Sequence, residues 1–88
     1  MKTIWKFPLE TKDRQRICIP SNYKFLCVQV QGETPCLWTL VDDKSHLLIV
    51  EIATRGTGYI CEGPEEMQYI GTYQLAGGEL VFHVFGEA

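Results

Sequence analysis

Eighty-eight residues hold one domain and leave no room for a second core. An apolar fraction of 45% with 22% charged residues belongs to a folded globular chain and excludes a disordered one. The net charge of −3 is unevenly spread: residues 1–24 carry six basic against two acidic side chains, and residues 25–88 carry two against nine. This leaves no extended basic face for DNA or RNA and far too few carboxylates for a DNA mimic. It suits a local anion site or a head-to-tail pairing of subunits.

Along the chain, the apolar period is two almost everywhere. Thr3–Phe7 reads as a strand with Trp5 and Phe7 on one face and Ile4 and Lys6 on the other; Pro8 ends it, and Glu10–Arg14 is a charged turn. Gln15–Ile19 follows, closed by Pro20-Ser21-Asn22. Tyr23–Gln31 alternates cleanly, with Leu26, Val28 and Val30 opposite Phe25, Cys27 and Gln29. Gly32–Pro35 turns the chain into Cys36–Val41, and Asp42–Ser45 turns it again into a long β-branched strand over His46–Thr54. Residues 55–66 are irregular, with a helical turn expected only at Pro64–Met67. Met67–Leu75 resumes alternation through Tyr69, Gly71 and Tyr73, and Ala76-Gly77-Gly78-Glu79 is a hairpin turn into Leu80–Phe85. About seven short strands with turns every eight to twelve residues predict an all-β domain, a small antiparallel sandwich or partly closed barrel.

Several strands are apolar on both faces. Leu48, Val50 and Ile52 alternate with Leu47, Ile49 and Ala53, and Ile4, Leu37 and Val41 repeat the theme. A sheet with one wet face alternates more cleanly than this, and so short a chain has little material to cover a second face. A homo-oligomer is therefore expected. No apolar run approaches the ~18 residues of a membrane span. Lys6, Glu10, Lys12 and Asp13 interrupt any signal-peptide core, so the expected place is the cytosol, with no membrane partner.

Catalytic and metal-binding constellations are thin. Cys18, Cys27, Cys36 and Cys61 stand nine, nine and twenty-five residues apart, with no tight pair to start a zinc site, and read as reduced thiols. Ser21 and Ser45 sit in turns, outside any nucleophile elbow, and His46 and His83 lie on separate apolar strands. Glu65-Glu66 beside Pro64 reads as a solvated loop pair. There is no glycine-rich nucleotide fingerprint, and neither an enzyme nor a cofactor is expected. The segment with ligand-binding content is Thr54-Arg55-Gly56-Thr57-Gly58-Tyr59. Glycines allow backbone N–H groups to converge on an anion, Thr57 adds a hydroxyl, Arg55 offers a bidentate phosphate partner and Tyr59 a flat face for a base. Arg16 and Lys6 are the basic residues expected to complete this pocket, across a subunit boundary if copies associate.

Met1-Lys2-Thr3-Ile4-Trp5-Lys6-Phe7-Pro8-Leu9, Pro35-Cys36-Leu37-Trp38, Gly56-Thr57-Gly58, Tyr69-Ile70-Gly71-Thr72 and Leu80-Val81-Phe82-His83-Val84-Phe85 together resemble a widespread family of short bacteriophage and prophage proteins. That resemblance covers most of the chain. It implies a phage protein acting in the host cytoplasm. It further suggests an anti-defence role of the anti-CBASS kind, in which a small oligomer binds a cyclic oligonucleotide signal, such as a cyclic dinucleotide of the cGAMP type, and holds it uncleaved. The alternatives are inhibition of a host enzyme by protein–protein contact through a sheet edge, and a structural or accessory oligomer.

Overall fold

Alternating β-branched and aromatic residues favour extended backbone, and each run is cut where proline, glycine or a charged cluster intervenes. In the computed structural model, which describes residues 1–87, the result is seven strands. They are β1 (Lys2–Pro8), β2 (Arg14–Pro20), β3 (Tyr23–Gln31), β4 (Thr34–Asp42), β5 (Leu47–Gly56), β6 (Gln68–Leu75) and β7 (Leu80–Gly86). Single 3₁₀ turns occupy Pro64–Glu66, where the sequence placed its one helical turn, and Ala76–Gly78 in the β6–β7 hairpin. At that hairpin Gly77 and Gly78 take φ of 66° and 95°, as the glycine pair implied.

The strands form two antiparallel sheets, β1-β4-β3 and β2-β5-β7-β6, stacked as a sandwich rather than closed into a barrel. The Cα envelope measures 40 × 29 × 15 Å, so the short dimension is two layers thick. Directly opposed residues share a face, which fixes what is buried. Leu37 and Val41 of β4 point inward beside Phe7 and Thr3 of β1; Val50 and Ile52 of β5 point inward beside Ile17 and Gln15 of β2. Ile19, Leu37, Val41, Ile52 and Val84 are completely buried, and each contributes about 1.5–3 kcal/mol relative to exposure.

Strict alternation fails in two strands, for one physical reason. The register slips between Phe25 and Cys27 in β3 and between Tyr69 and Gly71 in β6, and an extra residue swaps faces for everything beyond it. Phe25 and Val28 therefore both enter the core while Leu26 is exposed, instead of Leu26 lining up with Val28. Likewise Tyr73 is buried but Tyr69 is half exposed, on opposite faces. The two irregular strands adjoin where the sheets come closest. A Cβ on Gly71 would lie 3.0 Å from Val28 Cγ1 and 3.7 Å from its backbone N, so glycine lets β6 run against β3 there without displacing Val28. Across the sandwich, β1 and β2 are each paired on one side only, and that is where the structure stays open.

The loop between β1 and β2 carries the chain from one sheet to the other. It is tied by Leu9 N–H donating to Pro35 O (2.8 Å) and Thr54 N–H donating to Asp13 O (3.1 Å). Both faces of β5 are apolar, as read from the sequence: its inner residues are buried, while Leu47 and Ile49 are 58% and 60% exposed. Trp38 faces outward from β4, half buried, with Lys6 Nζ 5.7 Å from its ring centroid. Among the described residues no helix is long and apolar enough to cross a membrane.

Candidate functional site

Where β5 ends and the chain turns away from the sheets, a cleft of about 880 Å³ opens. Three segments wall it: Thr11–Asp13 of the β1–β2 loop, Thr54–Thr57 with Tyr59, Ile60 and Glu62, and Glu79–Phe82 at the start of β7. The loop picked out from sequence therefore lines this cleft at every position but Gly58. Its boundary differs: Arg55 and Gly56 are the last residues of β5, paired with His83 and Phe82, and only Thr57–Tyr59 leave the sheet.

The local geometry is set by Gly56. Tyr59 folds back on it, with Tyr59 N–H donating to Gly56 O (3.1 Å) and the ring lying on the glycine itself. A Cβ at position 56 would stand 2.9 Å from Tyr59 Cδ2, so any side chain there displaces the ring. Tyr59 is left 79% exposed and Ile60 77% exposed at the cleft, above Phe82, which stacks on Tyr73 at 5.4 Å. The Tyr73 hydroxyl is bonded to Thr11 Oγ1 (2.6 Å); burial raises its pKa above 10.0, opposed by that hydrogen bond.

The anion cradle expected from the glycine loop is largely used up within the chain. Thr57 N–H donates to Val81 O and Tyr59 N–H to Gly56 O, so two of the loop amides already have acceptors. Arg55, its side chain 12% exposed, donates through Nη1 to Asp13 O (2.8 Å) and Thr54 O (3.0 Å), with the Asp13 carboxylate 3.7 Å away. It thus clamps the β1–β2 loop onto β5. The Thr57 hydroxyl is bonded to His83 Nε2 (2.7 Å), while His83 Nδ1 meets Thr72 Oγ1 (3.0 Å), itself bonded to the Tyr69 hydroxyl.

Arg16 and Lys6 are not brought to the cleft. Arg16 stands on the outer face of the four-stranded sheet opposite Glu51, whose carboxylate takes Arg14 at 3.0 Å. Lys6 lies on the outer face of the three-stranded sheet and donates to Gln31 Oε1 (2.7 Å). Lys6 is on the other sheet, while Arg16 shares an outer face with Arg55 but stands opposite Glu51, four residues earlier on β5; period-two reading could not relate strands in this way.

Charge in the cleft is consequently mixed. Lys12 and Arg55 face Asp13, Glu62 and Glu79, and Lys12 is itself paired with Glu10 at 3.2 Å. One polar group is unspent: Thr54 Oγ1, buried and without a hydrogen-bond partner among the described residues, on a residue that lines the cleft. Sequence reading included Thr54 at the start of the segment but missed Phe82 and His83 as parts of this region. Each belongs to an alternating apolar strand, and only the β5–β7 register puts them beside the loop. No group of three or more metal-ligating side chains occurs among the described residues.

No curated protein and no solved structure matches this chain. The family model described as a domain of unknown function, DUF7352, matches residues 1–88, and the chain belongs to that family.

Proposed function

We propose that this protein works by binding and holds a nucleotide-class ligand in the Arg55–Tyr59 cleft without cleaving it. The carrying observation is Tyr59: an aromatic face 79% exposed at the mouth of an 880 Å³ recess, backed by Ile60 and Phe82. That volume suits a drug-sized or dinucleotide-sized molecule, and base–aromatic stacking contributes about 1–3 kcal/mol per base. The unpartnered Thr54 hydroxyl supplies a donor for a polar edge of the ligand. With the phage-family resemblance, these features support sequestration of a cyclic oligonucleotide immune signal, such as a cyclic dinucleotide, in the host cytoplasm. Two phosphates need more free cations than one chain offers here, so the reading calls for more than one copy at the site.

The second reading is inhibition of a host enzyme by contact through a sheet edge. It is favoured by β1 and β2, each paired on one side only, and by the exposed Ile4, Leu47 and Ile49.

Thermal-shift measurement against a panel of cyclic di- and trinucleotides tests the first reading. A ligand at a hundred times its dissociation constant stabilises by about 2.7 kcal/mol, about 10–20 °C for a domain of this size. Tyr59→Ala is expected to weaken binding by about tenfold or more while leaving the unliganded melting temperature unchanged. It is a cleaner probe than Arg55→Ala, which also removes the clamp on the β1–β2 loop. Ligand recovered unchanged after denaturation separates sequestration from hydrolysis. Absence of any shift across the panel refutes the nucleotide reading, and co-purification of a host enzyme then favours the second.

A further inference from the structure

The chain's charge asymmetry becomes two separate surfaces in the fold. On the outer face of the three-stranded sheet, Ile4, Leu40 and Lys24 form one cross-strand row and Lys6, Trp38 and Cys27 the next, with Lys2 at the end of β1. This face is basic and partly apolar: Ile4 is 58% exposed, and Lys2, Lys6 and Lys24 are all exposed. The mouth of the cleft has the opposite character. Glu62 and Glu79 line it, Glu65 and Glu66 follow on the 3₁₀ turn, and Tyr59 and Ile60 stand exposed between the carboxylates. One surface belongs to the sheet that contributes nothing to the other.

We infer that copies of this chain associate head to tail, the Lys2/Lys6/Lys24 face of one docking over the acidic mouth of the next copy's cleft. The occupant is a second copy because each surface is the complement of the other in charge, and both present apolar side chains that one chain leaves wet. The contact joins two different surfaces, so it is heterologous and builds a ring or an open chain rather than a two-fold dimer. It also alters the cleft. Three lysines joining Lys12 and Arg55 against Asp13, Glu62, Glu65, Glu66 and Glu79 bring a site three charges negative to neutrality. Here the inference rests on the nucleotide reading, since removing that negative excess is what admits phosphates; the association itself does not.

The test uses the full chain without ligand. Sedimentation velocity is run at about 50 mM and about 500 mM NaCl, where screening lengths differ about threefold. Expected is an assembly at low salt that weakens at high salt. Lys2→Glu/Lys24→Glu and Glu62→Lys/Glu79→Lys are each expected to weaken it by at least about tenfold, because like charges then meet. Mixing the two variants is expected to restore assembly, since each supplies the surface the other needs. Circular dichroism melts of both variants establish that they fold. A wild-type monomer at low salt, an assembly indifferent to both variants, or a mixture that stays monomeric overturns the inference. Nucleotide binding by a stable monomer overturns this interface and the need for a second copy, and keeps only the reading that the cleft holds a nucleotide. Assembly as described, with no nucleotide bound, does the reverse.

Discussion

Replacing Thr54 by valine should make this protein more stable, although it deletes a polar group from the wall of its principal cleft. Thr54 is 4% exposed, on β5 opposite Val84, and its hydroxyl has no hydrogen-bond partner among the described residues. Leaving a buried donor unsatisfied costs about 1–3 kcal/mol. Valine keeps the branched shape, places a methyl group in the same space and suits a strand at least as well. The expected net gain is about 1–2 kcal/mol, a sizeable share of the about 4–13 kcal/mol available to a domain of this length. With a urea m-value of about 1 kcal/mol/M, the midpoint should rise by about 1–2 M at unchanged slope. Thr54→Ser is the control: it retains the hydroxyl, loses the methyl group and should destabilise. A midpoint for Thr54→Val at or below wild type refutes the reasoning, because it means the hydroxyl is satisfied in solution. If the cleft ligand uses this hydroxyl, the same variant binds it less tightly while folding more stably. A general packing defect would not separate those two readouts.

Further outcomes follow from individual contacts. Gly71→Val should cost about 1–3 kcal/mol in urea melts, since the new side chain starts 3.0 Å from Val28 Cγ1 at the β3–β6 seam. Along β5, Ile52→Ala should cost about 2–5 kcal/mol and Ile49→Ala less than about 0.5 kcal/mol in the monomer, because only Ile52 is buried. Tyr73→Phe should cost about 0.5–1.5 kcal/mol through loss of the bond to Thr11. The Met1 ammonium has its pKa raised above 8.0, chiefly by the hydrogen bond to Asp42 with Asp43 adding to it, so its contribution is full below pH 8.0 and fades as pH rises through the folded-state value. Asp42 is lowered from 3.8, first by the Lys44 backbone N–H and then by that ammonium, so its contribution holds above pH 3.8 and fades as acid titrates it. Titrating the N-terminal amine by NMR in Asp42→Asn should return its pKa toward 8.0.

Local chemistry made the secondary structure readable. Period-two alternation bounded by Pro8, Pro20-Ser21-Asn22 and the Gly77-Gly78 pair located all seven strands within a residue or two, and the two-sided apolarity of β5 was legible as well. The faces of β3 and β6 were not, because a bulge leaves no mark in composition yet reverses every later side chain; Leu26 and Tyr69 went outward for that reason. The candidate loop stood out through its glycines and lone basic residue, but whether its donors were free depended on partners distant in the chain. Asp13 takes Arg55 across 42 residues, Val81 takes the Thr57 amide, and His83 takes the Thr57 hydroxyl across 26.

The amino-acid order by itself determined the class of fold, the turns and the imbalance of charge between the first 24 residues and the rest, since these rest on neighbours in the chain. Only the tertiary structure decided that Lys6 stands on the other sheet, that Arg16 stands opposite Glu51 rather than beside Arg55, and that Phe82 shares a cleft with Tyr59. Sheet order and strand register set those relations, and they come from packing between segments far apart in sequence, which no local pattern encodes.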